Sequence, residues 1–153
     1  MDQINPANGC TLRPATQTDA STIRHIISKV NINPMGLDWR RFILAIDPFG
    51  KVIGCGQVKP HADGSSELAS IAVLPGWRGK GIARQIIENL LKQHPGRLYL
   101  TCQPSLEPLY QKFGFQVIPR EEMPPYFQRL IRLVALFNIF IRQPNLLLVM
   151  RRD

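Results

Sequence analysis

Residues 68–84, Leu-Ala-Ser-Ile-Ala-Val-Leu-Pro-Gly-Trp-Arg-Gly-Lys-Gly-Ile-Ala-Arg, restrict what this chain can become more than any other stretch. An apolar run meets Pro75-Gly76 and passes two further glycines. Ile82, Ile86, Ile87, Leu90 and Leu91 then recur at helical spacing. The pattern predicts a strand feeding a glycine turn, with the turn opening an amphipathic helix over 79–91 that Pro95-Gly96 ends. A helix start carries unpaired N–H groups and a partial positive charge, so it attracts anions. Gly79 and Gly81 let the backbone approach a phosphate with no side chain between them, and Ala83 keeps the first turn thin. Arg78, Lys80 and Arg84 add cations at the same place. A pyrophosphate suits this arrangement better than a base edge. The stretch is neither a Walker-type phosphate loop nor the GxGxxG dinucleotide fingerprint, since both patterns are absent.

The rest of the chain predicts a mixed α/β fold. With 153 residues, 44% of them hydrophobic and 20% charged, it suits one domain over 1–153 with a real core. A strand over 11–13 precedes a helix that Asp19 can cap, with Ile23, Ile26, Ile27 and Val30 on one face. Asn33-Pro34-Met35-Gly36 breaks it, and 37–41 suit a short second helix. Strands over 42–46 and 52–58 flank the turn Asp47-Pro48-Phe49-Gly50, and a further turn leads to a strand over 67–74. After the glycine turn and its helix come a strand over 98–101, a helix over 106–113 that Ser105 can cap, and a strand over 115–118. Strand–helix–strand order implies a right-handed crossover and one parallel pair in an otherwise antiparallel sheet.

A last helix runs from 126 to about 142 before a closing strand over 146–150. Its only polar residues are Gln128, Arg129, Arg132, Asn138 and Arg142. It falls short of the about 20 residues a membrane span needs. The simplest expectation is packing on the sheet or at a homodimer contact, with a lid or a membrane-surface patch as the sharper alternatives.

Cys10, Cys55 and Cys102 are too isolated for a disulfide framework or metal-ligand spacing, which suits reduced thiols in the cytoplasm and no metal. The first ten residues carry no secretory-signal pattern. The net charge of +8 is uneven: +2 over residues 1–66 and +6 over 67–153. Such a bias draws polyanions of any kind. Neither aromatic-basic interleaving nor a zinc or helix-turn-helix pattern points to nucleic acid.

Two motifs carry a family resemblance. Arg78-x-x-Gly81-x-Ala83, directly after the strand ending Val73-Leu74-Pro75, is similar to the pyrophosphate-binding motif Q/R-x-x-G-x-G/A of the GCN5-related N-acetyltransferase (GNAT) family. Leu109-Tyr110-Gln111-Lys112-Phe113-Gly114-Phe115 resembles that family's LYxKxGF signature. The motifs stand in the family's order, and the resemblance covers nearly the whole chain. It implies a mostly antiparallel sheet with a splayed parallel strand pair, flanking helices, and acetyl-CoA as co-substrate. It also implies that residues 78–84 hold the pyrophosphate: Arg78, Gly79, Lys80, Gly81, Ile82, Ala83 and Arg84. Backbone of Ile71, Ala72 and Val73 would hold the pantetheine arm. Gln103 stands where the family often has Asn, offering the same amide on a longer arm.

The resemblance further implies direct attack by a primary amine in a ternary complex. Tyr110 is the candidate acid for the departing thiolate, since a phenol stays protonated at neutral pH. Glu67 is the candidate base. Strict alternation places it on one face with Ala69, Ile71 and Val73. The backbone N–H of Val73 or a neighbour is the expected oxyanion donor. Cys102 lies near enough to raise a ping-pong route through an acetyl-cysteine, but no histidine is adjacent to it in sequence. His61 and Asp63 sit on the turn before Glu67, where solvation is the simpler expectation.

Gly54-Cys55-Gly56-Gln57 followed by Glu67-Leu68-Ala69 faintly resembles amino-acid acetyltransferases such as the acetylglutamate synthase module. It favours a small-molecule or amino-acid acceptor, whose carboxylate Arg40 and Arg41 can pair. A protein lysine or N-terminal amine is the other acceptor class. A non-catalytic CoA-binding module is the main rival function, and a basic nucleic-acid or membrane-surface binder a weaker one.

Overall fold

The computed structural model describes residues 3–5, 9–141 and 146–153. They divide into two compact units, Met1–Lys59 with Leu68–Pro95, and Pro60–Glu67 with Gly96–Asp153.

The first unit holds strands β1 (Gln3–Asn5), β2 (Cys10–Pro14), β3 (Phe42–Ile46), β4 (Val52–Pro60, to Lys59) and most of β5 (Ser66–Val73). They lie side by side in that order, with β1–β2, β2–β3 and β3–β4 antiparallel. β1 has no counterpart among the expected strands, because three residues give too short a pattern to distinguish from a coil. Helix α1 (Ala20–Lys29) buries Ile23, Ile26 and Ile27 against Phe42, Leu44, Cys55 and Ala72. Helix α2 (Ile82–Gln93) buries Ile82, Ile86, Ile87 and Leu90. Gly54 and Gly56 of β4 explain how closely α2 lies. A Cβ on Gly56 would come within 2.7 Å of both Ile71 Cδ1 and Ile86 Cγ2, and one on Gly54 within 3.0 Å of the Ala72 carbonyl.

Several expectations shift in detail. Asp19 reaches backwards: its carboxylate accepts from the Thr16 N–H at 2.7 Å and from the Arg13 guanidinium at 2.8 Å, which fixes the entry to α1. Those bonds, with the Arg13 side chain foremost, hold its carboxyl down at about 2. The short helix expected over 37–41 is a single 3-10 turn, Trp39–Arg41, because the Asp38 side chain accepts from the Arg40 N–H and starts the turn late. The hairpin tip is as read, with Asp47 Oδ1 accepting from the Phe49 and Lys51 N–H groups at 2.9 Å each.

Ser70 has φ of +59°, a left-handed residue in mid-strand. Such a residue is the mark of a β-bulge, which interrupts side-chain alternation. The expectation that Glu67, Ala69, Ile71 and Val73 share one face therefore fails at Ser70. The bulge is anchored: Gln57 Nε2 donates to Ser70 Oγ at 2.9 Å and Cys55 Sγ donates to the Ser70 carbonyl at 3.7 Å.

In the second unit, Glu67 of β5 pairs in parallel with Tyr99 of β6 (Leu98–Cys102). β6 then pairs antiparallel with β8 (Leu148–Arg152), and β8 with β7 (Gln116–Val117). The sheet is thus mixed, with one parallel pair among the described strands. Helix α3 (Glu107–Gln111) is shorter than expected at both ends. Pro104 starts a separate 3-10 turn that contains Ser105, and Gly114, at φ +88°, turns the chain into β7.

Helix α4 (Pro125–Ile141) buries Phe127 against Tyr99, Ile118 and Val149. Beyond that first stretch it is open: Leu133, Leu136 and Phe137 are 63%, 51% and 62% exposed. The expectation of a helix packed on the sheet holds only for its beginning. Arg142, placed in this helix by the sequence, lies outside the described residues. No helix among the described residues is long and apolar enough to cross a membrane.

Candidate functional site

The glycine turn belongs to the first unit. After β5 the chain makes a 3-10 turn over Pro75–Trp77, and α2 begins at Ile82, not Gly79. The later start has a backbone cause: Gly79 and Gly81 both adopt left-handed φ, +77° and +76°. An L-residue there costs about 1–2 kcal/mol. Gln85 is the first to bond back into the helix, to the Gly81 carbonyl at 3.1 Å. Helical geometry leaves the N–H groups ahead of it without intrahelical partners. A side chain added at Gly79 would enter open space, which leaves the backbone accessible to a ligand there. This is a cradle that fits a diphosphate.

The three cations of the turn are already engaged. Arg78 Nε donates to the Val73 carbonyl at 3.2 Å and ties the turn to the strand. Lys80 Nζ lies 4.8 Å from the Trp77 ring centroid. Arg84 pairs with Glu88 at 2.8 Å on the exposed face of α2. Ile82 is buried in the core, 1% exposed. Ala72 packs in the α1 core, and the Ile71 side chain lies near the Gly56 position.

The other candidates lie in the second unit. Gln103 is exposed at the end of β6 and opens the Pro104–Leu106 turn. Tyr110 is buried, edge-on to Phe115 with ring centroids 6.2 Å apart. Burial, with the nearby Cys102, pushes its phenol up to about 12. It therefore stays a proton donor through the neutral range. Cys102 is buried too, and desolvation together with Glu107 raises its thiol, which disfavours the thiolate a ping-pong route needs.

Glu67 is buried, and its Oε2 lies 2.7 Å from His61 Nε2. The sequence favoured solvation for His61 and Asp63, and the structure overturns that for His61. Its side chain is only 10% exposed. Its ring stacks on Tyr126 with centroids 3.5 Å apart, and Phe127 meets it edge-on at 5.7 Å. Asp63 is the post of the turn. Its Oδ1 accepts from the Ser65 N–H and hydroxyl, and its Oδ2 accepts from the Tyr126 N–H at 2.9 Å. Desolvation works against the Asp63 carboxylate, yet these bonds hold it below the ordinary carboxylate range. Burial, and then the Glu67 charge, raise the Tyr126 phenol. The turn read over His61–Gly64 is present and closes on Ser65, whose carbonyl accepts from the His61 N–H at 2.8 Å. Nothing local pointed to Tyr126, which lies more than sixty residues on.

Arg40 and Arg41 both pair with Asp38, at 3.2 and 3.9 Å. With Phe42, Gln93 and His94 they line a hollow of about 260 Å³ in the first unit. Among the described residues no group of three His, Cys, Asp or Glu side chains could hold a metal.

A family model described as the acetyltransferase (GNAT) domain matches residues 38–117. No curated protein matches in sequence. Among solved structures, N-acetylglutamate synthase from Neisseria gonorrhoeae, complexed with coenzyme A and N-acetyl-glutamate, superposes with a TM-score of 0.73 at 16% identity. The match covers 94% of this chain and 34% of that one. The chain thus spans about a third of that enzyme's length. A Mycobacterium tuberculosis protein in complex with CoA gives 0.68 at 22% identity, covering 92% of this chain and 97% of its own. An Arabidopsis thaliana protein bound to the bisubstrate analogue CoA-Ac-MVNAL gives 0.63 at 14% identity, covering 95% and 99%.

Proposed function

Because the chain belongs to the GNAT acetyltransferase family, we propose that it transfers an acetyl group from acetyl-CoA to a primary amine by direct attack in a ternary complex. Residues 1–153 act in this reading as one N-acetyltransferase domain. The observation that carries it is the pair of left-handed glycines, Gly79 and Gly81, at the mouth of α2. N–H groups over residues 78–84 bind the diphosphate of acetyl-CoA. The backbone of Ile71, Ala72 and Val73, with the Gln103 amide, holds the arm that carries the thioester, and one strand N–H, at Val73 or beside it, stabilises the oxyanion.

Glu67 removes the proton from the acceptor ammonium, and Tyr110 donates to the departing thiolate. The phenol suits that task because burial keeps it protonated.

The acceptor we favour is a small molecule or amino acid. The N-acetyl-glutamate complex of the Neisseria synthase supports it, as does the basic hollow at Arg40, Arg41 and His94, which suits a carboxylate. The peptide-bearing analogue in the Arabidopsis complex is the observation that favours a protein amine instead. Three free, buried cysteines support the cytoplasm as its compartment, and the exposed apolar residues of α4 support a homodimer. A thiol-release screen with acetyl-CoA against amino acids, polyamines, aminoglycosides and lysine or N-terminal peptides tests the whole reading. Turnover with an amine, lost in both Glu67→Gln and Tyr110→Phe, is expected. CoA binding without turnover across the panel would leave a binding module in its place.

A further inference from the structure

We propose that Gln57 is a positioning residue for acetyl transfer: it holds Ser70 in the left-handed conformation that aims the backbone of β5. The inference rests on the acetyl-transfer reading, in which Ile71, Ala72 and Val73 present their backbone to the thioester arm. Ser70 stands directly before that stretch, at φ +59°. Its conformation sets the plane of the next peptide, and with it the direction of the Ile71 N–H. A left-handed φ is unfavourable for serine and persists only where the surroundings impose it. Two side chains of β4 do so. Gln57 Nε2 donates to Ser70 Oγ at 2.9 Å, and Cys55 Sγ donates to the Ser70 carbonyl at 3.7 Å. The far end of the stretch is fixed as well. The Leu74 N–H donates to the Ile53 carbonyl at 2.9 Å, and Arg78 Nε donates to the Val73 carbonyl. Residues 71–73 are thus anchored at both ends within the first unit. Backbone so held needs no rearrangement when charge develops on the thioester oxygen.

For packing alone, Gln57 is a costly side chain. It is fully buried, and its Nε2 also donates to the Gly36 carbonyl at 3.2 Å, which uses both amide hydrogens. Its Oε1 is buried with no hydrogen-bond partner among the described residues. A buried acceptor left unpaired lowers stability, whereas an apolar side chain of like shape carries no such penalty. What offsets the penalty is the pair of bonds that Nε2 makes. Gly36 lies on an exposed loop, where water can take over as donor. Ser70 is buried, and the thiol that supports it is a weak donor. The bond to Ser70 is therefore the one with no substitute.

The test uses the full chain, acetyl-CoA and whichever amine the thiol-release screen identifies, with kcat and KM followed separately. Gln57→Leu should lose on the order of tenfold in kcat, with KM for acetyl-CoA little changed. Ser70→Ala keeps the disfavoured φ without its anchor and should lose as much. Ser70→Gly reaches that φ without strain, so it should lose clearly less than Ser70→Ala. Gln57→Leu combined with Ser70→Ala should lose no more than either alone, because both remove one bond. Gln57→Leu combined with Ser70→Gly should turn over faster than Gln57→Leu. Wild-type kcat in a folded Gln57→Leu enzyme overturns the proposal, as does a loss confined to KM. So does a Ser70→Gly loss equal to that of Ser70→Ala, which would assign the effect to the hydroxyl and not to the backbone. Losses that multiply in the Gln57→Leu, Ser70→Ala enzyme overturn it too, because Gln57 would then act through Gly36. Should Gln57→Leu not fold, the comparison of Ser70→Ala with Ser70→Gly decides alone. Failure of the underlying reading looks different: the wild-type chain itself turns over no amine or binds no CoA.

Discussion

The glycine turn of the first unit and the His61–Glu67 pair of the second solve their tasks by opposite means. At the turn the side chains matter little. Arg78 is tied to Val73, Lys80 lies over Trp77, Arg84 pairs with Glu88, and Ile82 is buried. What remains is backbone, shaped by two glycines at φ near +77°. At the pair the facing groups are side chains, His61, Glu67 and the Tyr126 ring, with the Tyr126 N–H bonded to Asp63. An open stretch of backbone can thus be written in a few consecutive residues, whereas a buried carboxylate–imidazole pair is assembled by the fold.

The largest losses are expected at Glu67 and Tyr110. Glu67→Gln and Tyr110→Phe are each expected to lower kcat by about 100-fold or more while leaving CoA affinity intact. Tyr110 makes a further prediction. With its phenol raised to about 12, no alkaline limb below about pH 11 should vanish in Tyr110→Phe. An alkaline limb near neutrality that disappears in this variant would take the acid role away from Tyr110.

The same contrast explains what the sequence disclosed. The strand, turn and helix around residues 68–93 were legible because turn chemistry and helical periodicity are local. Phe42–Ile46 was read to the residue for the same reason. The start of α2 slipped by three residues, since the pattern cannot show that Gly79 and Gly81 are left-handed. The bulge at Ser70 was invisible: a serine at φ +59° is held there by Gln57 and Cys55 from the neighbouring strand, and alternation counted through it misplaces Glu67. His61 was misjudged because its cover, Tyr126, is brought in by a helix far along the chain.

At the turn, Gly81→Val should cost about 1–2 kcal/mol through the left-handed φ alone. It should also weaken CoA binding by tenfold or more, with Glu67-dependent chemistry untouched once the enzyme is saturated. Equal CoA affinity in the variant would move the diphosphate away from residues 78–84.

Gly56→Ala probes the support behind the turn. Its Cβ would lie 2.7 Å from Ile71 and Ile86, an overpacking worth about 1–3 kcal/mol in urea unfolding. Stability unchanged within error would mean that α2 lies less tightly on β4 than described.

The smallest expected effect is at Asp19. Its folded pKa, about 2, is depressed below the unfolded value, so its contribution is complete above about pH 4 and fades as pH falls towards 2. Asp19→Asn should lower stability by a constant amount above about pH 5 and approach the wild type as pH falls towards 2. A variant whose acid unfolding overlays the wild type would assign no stabilisation to the Arg13–Asp19 pair.

The backbone cradle at the mouth of α2 is the premise of the whole account, and titration calorimetry of the purified chain tests it most directly. Saturable 1:1 binding of both CoA and acetyl-CoA is expected, abolished or strongly weakened in Gly81→Val and retained in Glu67→Gln. Absence of binding heat with either ligand across temperatures, from a folded wild-type chain, would contradict it.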